Sequence, residues 1–469
     1  MSQLPNKPDT SANKRPNVIV FFTDQQRWDA AGVHGNPLNL MPNFDRMATH
    51  GTHPAYAFTP APVCGPARAC MQTGTHITTN EVYHNGPVPR ADLPRVANCF
   101  NDAGYKTGYI GKWHLAGANN GNGSGPVEEE LRGGYQYWLG ANGLEGVSDA
   151  YNCVMFDNDN KKVKLPGYRV DAQTDAAIRY IDNNQNDPFF LFLSYLEPHF
   201  QNHIDDYPPP TGYREHYNAN NWVPPDLAAL GGTTQQHIAG YWGMIKRLDE
   251  ALGRLIDALK SLDMLDNTII LFTSDHGCHF KTRNGEYKRS CHDSSIRVPT
   301  AITGPGFNGG GRFENPFSLV DVAPTLLHAC GIDIPKQMEG RSALKLIQEG
   351  ANAANWPEEM FVQVCDDPSM IGRTVRTKRW KYSVTATDAD ARIKGRSSGY
   401  VETELYDLEF DPYELRNLVD QQCHEKVCNV MKDRMLKRMD ALGEDTPSIA
   451  PAKRVPSGQR AVTDAEAWM

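Results

Sequence analysis

The 469-residue chain lacks both long apolar runs and blocks of basic residues, and each absence narrows its function. No stretch of about 18 consecutive apolar residues occurs, so the sequence predicts no transmembrane helix. The formal net charge is −9, with 47 Lys and Arg against 56 Asp and Glu, and no long run of Lys and Arg is present. We therefore expect neither a nucleic-acid partner nor binding to a membrane surface.

The beginning of the sequence also lacks the apolar core that a signal peptide needs. Residues 1–16 are polar and predict an N-terminal extension. At face value this favours a soluble, cytoplasmic protein, or a secreted or periplasmic one if a leader was trimmed. The ten cysteines include no Cys-x-x-Cys pair of the kind found in zinc knuckles, so most are expected to be small buried residues. The sequence leaves a homo-oligomer open.

What the sequence does contain is a regular alternation of two patterns from residue 17 to about 355. Short β-branched or aromatic runs predict buried strands at 17–23, 106–110, 189–196, 268–273 and 298–303. Helical patterns lie between them, at about 42–50, 66–73, 93–103, 170–184, 235–262 and 319–330. This alternation indicates an α/β sandwich with a mostly parallel central sheet.

The pattern changes near residue 355. Short runs typical of antiparallel strands follow at 360–365, 373–377, 380–384 and 404–408, and a helix is predicted from about 423 to 441. We therefore predict a large domain over 17–355, a smaller C-terminal α+β subdomain over 356–442 and a polar tail over 443–469.

Polar residues follow four of the predicted strands at the point where each strand ends. These ends are Asp24-Gln25-Gln26-Arg27, Gly111-Lys112-Trp113-His114, Glu197-Pro198-His199 and Ser274-Asp275-His276-Gly277. Ligands of open α/β sheets bind beyond the carboxyl ends of the strands. A surface turn explains any one of these ends taken alone, but four together indicate a shared site.

A fifth element is the stretch around Cys64. Pro66 suits the first position of a helix, because proline lacks an N–H that would be unpaired there. Cys64 then lies just before a helix N-terminus, where free amides favour anions, and Arg68 is about one turn further on. For the pentapeptide alone, a buried cysteine before an ordinary helix is an equally good interpretation.

Taken together, the motifs resemble those of the formylglycine-dependent sulfatases of the alkaline phosphatase superfamily. The resemblance runs from about Asn17 to the C-terminus. It is carried by Asp24-Gln25, Cys64-Gly65-Pro66-Ala67-Arg68, Thr73-Gly74, Gly104-Tyr105-Lys106-Thr107, Gly111-Lys112-Trp113-His114, Ser274-Asp275-His276-Gly277, Arg297-Val298-Pro299 and Glu404-Leu405-Tyr406-Asp407-Leu408. It implies an alkaline phosphatase-like fold with 17–355 as the catalytic domain.

The resemblance further implies a site and a reaction. A separate formylglycine-generating enzyme would convert Cys64 to formylglycine, whose hydrated form attacks the sulfur of a sulfate ester. One divalent cation, calcium first, would lie on Asp24, Gln25, Asp275, His276 and the modified Cys64. The resemblance also implies that Arg68 and His114 position the nucleophile. The sulfate oxygens would be held by Lys112, His199 and Lys288. Asn85 would contact the substrate. We also expect Arg373, at the start of a C-terminal strand, to reach over the pocket mouth.

Two departures from the family pattern leave an alternative open. Gln25 stands where many sulfatases have a second Asp, and His276 stands where many have Asn. A histidine nitrogen suits manganese better than calcium, so manganese or magnesium is the next choice of metal. The combination of Asp24-Gln25 with Asp275-His276 also resembles the phosphonate monoester hydrolases and phosphodiesterases of the superfamily. A sulfatase acting on a carbohydrate or small organic sulfate is the first hypothesis, and a relative that only binds a sulfated ligand is the last.

Overall fold

The computed structural model describes residues 15–117, 123–349, 356–366, 371–388, 391–444 and 446–469. Most of the predicted N-terminal extension and the predicted domain boundary at 355 therefore lie outside the described residues. The strands are β1 (Asn17–Thr23), β2 (Thr52–Pro54), β3 (Ala57–Phe58), β4 (Lys106–Lys112), β5 (Tyr137–Ala141), β6 (Cys153–Phe156), β7 (Lys162–Leu165), β8 (Phe189–Ser194), β9 (Thr268–Ser274), β10 (Ala301–Thr303), β11 (Gly311–Phe313), β12 (Phe317–Ser318), β13 (Met360–Val364), β14 (Gly372–Arg376), β15 (Trp380–Ala386), β16 (Gly399–Asp407) and β17 (Ser448–Ala450).

The α-helices lie mainly between the strands of the first sheet. They are α1 (Pro42–His50), α2 (Cys64–Thr73), α3 (Ile77–Asn80), α4 (Val96–Asp102), α5 (Arg169–Asn183), α6 (Tyr213–Ala219), α7 (Pro225–Leu230), α8 (Thr234–Ser261), α9 (Asp293–Ile296), α10 (Val322–Ala329), α11 (Ala343–Glu349), α12 (Ala391–Lys394), α13 (Glu425–Ala441) and α14 (Asp464–Ala467). Among the described residues, no helix has the length and apolar character needed to cross a membrane.

The large sheet has a parallel centre and mixed flanks. Within the described residues its ten strands run in the order β11-β2-β10-β9-β1-β8-β4-β5-β6-β7. The five central strands, from β9 to β5, all run parallel to one another. The flanking pairs β9–β10, β2–β10, β5–β6 and β6–β7 are antiparallel. The fold class predicted from the sequence, an α/β sandwich on a mostly parallel centre, is confirmed.

Helices cover both faces of this sheet, and the side chains of strand β1 pack against the helices on both sides. Its alternate side chains Ile19 and Phe21 pack into one core with α1, α5 and α8. Val18, Val20 and Phe22 point the other way, into a second core with α2, α4, α10 and α11. A strand that is buried on both faces must be apolar at every position, which is the pattern the sequence shows at 17–23.

A second, smaller sheet forms the C-terminal subdomain. Its described strands run in the order β13-β14-β15-β16-β17, and α13 packs on β14 and β15. The predicted polar tail, 443–469, joins this unit in its described part, because β17 pairs parallel to β16 and Ala467 is buried in the same apolar core.

The register of the parallel strands brings the predicted polar ends together. Thr23 pairs with Ser274, so Asp24 and Asp275 leave neighbouring strands side by side. On the far side of β8, strand β4 ends at Lys112. The carboxyl edge of the sheet is therefore where a shared site can form.

Candidate active site

Cys64 lies at the beginning of α2, at the carboxyl edge of the large sheet. The helix starts at Cys64 itself, two residues earlier than the pattern around Pro66 predicted, and Val63 before it is extended. The sulfur of Cys64 is 2.8 Å from the Lys288 ammonium, 3.3 Å from Nε2 of His276 and 3.7 Å from the Lys112 ammonium. The side chain is buried.

The surroundings of Cys64 favour negative charge on its sulfur. Burial alone would raise the pKa of the thiol, but the charges of Lys112 and Lys288 outweigh burial and hold the pKa well below its usual value. The first turn of a helix adds free amides that also favour an anion. A negatively charged group at this position, whether thiolate or oxygen, is therefore stabilised before any substrate arrives.

Two carboxylates lie beside the sulfur in a buried group whose ligand atoms suit a divalent cation. One ligand atom each from Asp24, Cys64, Asp275 and His276 fall within 4.8 Å of one another. Burial and then the charge of Asp24 raise the pKa of Asp275, so the two carboxylates do not ionise together easily. A divalent cation removes that conflict, because both carboxylates can then bind it as anions.

The side chains of His276 and Gln25 are oriented as ligands of such a cation. Nδ1 of His276 lies 2.9 Å from the carbonyl oxygen of Gly277, so Nδ1 donates there and Nε2 presents its lone pair to the group. The amide nitrogen of Gln25 donates to the Tyr207 hydroxyl at 2.9 Å. Its oxygen, Oε1, is buried and has no hydrogen-bond partner among the described residues. An oxygen left over in this way fits a hard cation.

Arg68 holds the two carboxylates rather than the sulfur. Its guanidinium is 2.9 Å from Asp24 and 3.2 Å from Asp275. Its other terminal nitrogen donates to Ser194 at 2.8 Å and to the carbonyl of Lys112 at 2.7 Å. Arg68 therefore acts on the site mainly by fixing Asp24 and Asp275 in place.

Lys112 and Lys288 bring positive charge to the sulfur from different elements. The Lys112 ammonium is buried, 2.9 Å from Asp24 and 3.1 Å from Glu145. The Lys288 ammonium lies 3.3 Å from Nε2 of His199, whose Nδ1 is 2.6 Å from the carbonyl of Phe200. Burial and then Lys288 lower the pKa of His199, so its ring is neutral at neutral pH. These side chains form a wall suited to an anion with several oxygens.

Lys288 belongs to the irregular segment between β9 and α9, and hydrogen bonds and an ion pair hold this segment in place. Its carbonyl accepts hydrogen bonds from His279 at 3.0 Å and from Asn284 at 3.1 Å. Further along, Asp293 is 3.3 Å from Lys381 of the C-terminal subdomain. The smaller sheet thus helps to fix the segment that carries Lys288.

The remaining predicted residues divide into two groups. Oδ1 of Asn85 accepts a hydrogen bond from the amide of Gly65 at 2.8 Å, so Asn85 lies next to Cys64, and His114 is close enough to the sulfur to help lower the pKa of the thiol. Arg373 does not reach the pocket mouth, contrary to expectation. Its side chain is buried in the C-terminal subdomain, where Nε is 3.0 Å from Glu444 and another nitrogen donates to the carbonyl of Gly395. Arg373 is a structural residue there, because its charge is already paired.

Sequence reasoning missed three side chains of this site. Glu145 pairs with Lys112, Ser194 binds Arg68, and Tyr207 orients Gln25. Ser194 is the last residue of β8 and could have been found as a polar residue at a strand end. Glu145 and Tyr207 lie in segments without a regular pattern, so only the fold places them.

A buried cysteine, two carboxylates and two lysines lie at the carboxyl edge of a parallel-centred α/β sheet, an arrangement typical of hydrolases with the alkaline phosphatase-like fold. The comparisons narrow this class. The model of the Sulfatase family matches residues 16–332, and the model described as N-sulphoglucosamine sulphohydrolase, C-terminal, matches 285–441. The chain therefore belongs to the sulfatase family and is a sulfuric ester hydrolase.

Individual relatives agree with this family. The chain is 30% identical over 448 residues to an ulvan-active sulfatase of Formosa agariphila, covering 92% of this chain and 83% of the relative. It is 25% identical over 494 residues to an N-acetylglucosamine-6-O-sulfatase of Bacteroides thetaiotaomicron, covering 88% and 84%.

Solved structures share the fold. A protein in complex with its substrate D-glucosamine-2-N,6-O-disulfate superposes with a TM-score of 0.74 at 23% identity, covering 92% of this chain and 99% of that one. A phosphonate monoester hydrolase of Agrobacterium radiobacter gives a TM-score of 0.68 at 22% identity, covering 91% and 96%. At such identities these likenesses concern the fold alone, so the phosphonate hydrolase remains a distant neighbour.

Proposed function

We propose that this sulfatase uses Cys64, oxidised to formylglycine, as its nucleophile, together with one divalent cation. The observation that carries the proposal is the position of the Cys64 sulfur. It lies within 3.7 Å of two lysines and shares a group of four possible ligand atoms with Asp24, Asp275 and His276. In this structure the Cys64 sulfur occupies the position that the oxygens of hydrated formylglycine, which supply the attacking atom, would take in the mature enzyme.

Asp24, Gln25, Asp275 and His276 would hold the cation. A bound cation would lower the pKa of the nucleophile and polarise a sulfate oxygen. Calcium is the first choice from the family resemblance, and the nitrogen of His276 makes manganese or magnesium the next. Two observations support a cation here, whichever ion it is. The Gln25 oxygen has no partner among the described residues, and two carboxylates of like charge are buried side by side.

The basic wall has a separate task. Lys112, Lys288 and His199 would bind the non-bridging oxygens of the sulfate, whose negative charge persists through the transition state. His114, which helps to lower the pKa of the Cys64 thiol, would orient the attacking oxygen. Arg68 keeps Asp24 and Asp275 in register with each other. Asn85 fixes the backbone beside the nucleophile and is placed to meet the substrate.

For the substrate we propose the sulfate ester of a carbohydrate or another small organic alcohol. The likeness to an ulvan-active sulfatase and to an N-acetylglucosamine-6-O-sulfatase supports a carbohydrate. A formylglycine-generating enzyme is the implied partner for maturation, because Cys64 and Arg68 keep the spacing of the family motif.

One panel of substrates tests this proposal against its alternative. Enzyme produced together with a formylglycine-generating enzyme is assayed on p-nitrophenyl sulfate, phenyl p-nitrophenylphosphonate, bis(p-nitrophenyl) phosphate and a set of sulfated monosaccharides. We expect the highest kcat/KM on a sulfate ester. A higher kcat/KM on the phosphonate or the diester would favour the phosphonate monoester hydrolase and phosphodiesterase alternative.

A further inference from the structure

Glu145 is an unexpected carboxylate inside the basic wall. It lies in the short turn Leu144–Gly146 that follows β5, the strand next to β4 and Lys112. One carboxylate oxygen is 3.1 Å from the Lys112 ammonium. Burial raises the pKa of Glu145, but the charges of Lys112 and then His114 outweigh burial and lower the pKa to about 2. The side chain is therefore an anion placed beside the position where we expect the sulfate to bind.

The second oxygen of this carboxylate lacks a donor. Oε2 of Glu145 is buried and has no hydrogen-bond partner among the described residues. A buried oxygen without a partner costs free energy, commonly about 1–3 kcal/mol. Because sulfate itself carries no proton at neutral pH, the missing donor must come from another part of the substrate or from water.

A cavity of about 540 Å³ lies next to Glu145 and has room for such a group. It is lined by residues 145–149 and 202–203. Asp149, Asn202 and His203 face it with polar side chains, and Val147 adds an aliphatic one. Among the described residues of this lining, His203 is the one side chain that can carry a positive charge, and it lies 3.5 Å from the Asp149 carboxylate. The residues that line it offer acceptors to hydroxyl groups, and Val147 is the apolar side chain among those described.

We propose that Glu145 and this cavity bind the alcohol part of the substrate and select sulfate esters whose alcohol carries free hydroxyl groups near the ester. The inference rests on the proposed function, since it places the sulfate on Lys112 and Lys288. A hydroxyl next to the ester carbon donates to Glu145, while the rest of the alcohol occupies the cavity. The carboxylates of Glu145 and Asp149 disfavour a second sulfate at that position by charge repulsion.

The test compares two substrates in the same enzyme. Wild type, Glu145→Ala and Glu145→Gln, each with Cys64 converted, are assayed on p-nitrophenyl sulfate and on a panel of monosulfated hexoses. For the best hexose sulfate we expect Glu145→Ala to lower kcat/KM at least about 10-fold more than for p-nitrophenyl sulfate, because a site built to bind a hydroxyl loses that contact. Glu145→Gln, which keeps an acceptor oxygen, should recover part of the difference. Asp159→Asn, an exposed carboxylate paired with Lys161, is the matched control and should not change the ratio.

Two results would overturn the inference while leaving the proposed function intact. The first is an equal fall on both substrates, which would mean that Glu145 acts only through the charge of Lys112. The second is a wild-type enzyme that hydrolyses p-nitrophenyl sulfate but no hexose sulfate. If the converted wild type hydrolyses no sulfate ester at all, the proposed function fails first and the inference falls with it.

Discussion

The molecule buries charge in two places, and the two behave differently. In the C-terminal subdomain, Arg373 lies against Glu444 at 3.0 Å, and its other nitrogens bind carbonyl and sulfur atoms of the same region. At the carboxyl edge of the large sheet, Asp24 and Asp275 lie together, and the oxygen of Gln25 has no partner among the described residues. In the first group the charge of Arg373 is matched by Glu444. The second group holds two carboxylates close together and includes an oxygen of Gln25 that has no partner among the described residues.

This difference separates structural from functional burial of charge. A buried ion pair that satisfies its own hydrogen bonds needs nothing else, and breaking it costs stability. A buried group with like charges and unpaired oxygens is unfavourable unless something binds there, which is why such groups mark functional sites. The predictions below test this contrast, beginning with the largest effect on activity.

Replacing Cys64 should have the largest effect. Cys64→Ala removes the nucleophile and should reduce turnover to background, a loss on the order of 10⁴-fold or more. The fold should persist, because only one small side chain is removed from the start of α2. Activity and the circular dichroism spectrum are compared with those of Cys70→Ala, a second buried cysteine of the same helix. Full activity in Cys64→Ala would exclude a formylglycine mechanism.

Replacing a carboxylate should remove the response to metal. For wild type, a cation at a hundredfold excess over its Kd should stabilise the fold by about 2.7 kcal/mol, and a chelator should reverse the gain. Asp275→Asn should lose both this gain and the activity, because two anionic ligands become one. Thermal unfolding with and without each metal measures the effect. An unchanged metal-dependent shift in Asp275→Asn would place the cation elsewhere.

The lysines should have an intermediate effect. Lys112→Ala or Lys288→Ala should each lower kcat/KM by about 10²-fold or more, comparable to the loss of one oxyanion donor. Lys112 is buried between Asp24 and Glu145, so its removal should also lower Tm, and kcat/KM is measured per folded enzyme. Lys161→Ala serves as the control, because Lys161 is exposed. Near-normal kcat/KM in both variants would mean that the anion binds at another position.

Arg373 should have the smallest effect on activity and a large one on stability. Arg373→Met leaves Glu444 buried without its partner, which typically costs about 3–5 kcal/mol. The kcat/KM of the folded fraction should stay within about twofold of wild type, since the Arg373 guanidinium is already bound to Glu444 and to the carbonyl of Gly395. Urea unfolding and kinetics at low temperature measure the two quantities. A loss of kcat/KM at unchanged stability would restore the substrate contact that the sequence suggested.

The sequence predicted the central strands well for a physical reason. Strands buried on both faces are short and apolar at every position, so β1 begins and ends where the pattern at 17–23 places it. The flanking strands could not be predicted in this way. The segments β2 and β11, for example, are three residues each and contain Gly, Pro and His, so their pairing depends on the rest of the sheet.

The site was predictable wherever a side chain ends a strand or directly follows one. Asp24, Lys112 and Asp275 belong to this class, because the end of a parallel strand fixes their position in space. Arg373 and Glu145 show the limit of the approach. The partner of Arg373 is Glu444, 71 residues away in sequence, and the partner of Glu145 is Lys112, so neither role can be known before the chain is folded.

The central claim, that Cys64 acts after conversion to formylglycine, is tested most directly by measuring conversion and activity together. Samples are prepared with increasing amounts of a formylglycine-generating enzyme, and mass spectrometry of the peptide containing Cys64 gives the converted fraction of each. We predict that kcat per total enzyme on the best sulfate ester rises in proportion to this fraction and extrapolates to zero at no conversion. Activity that stays the same while the converted fraction varies would contradict the account.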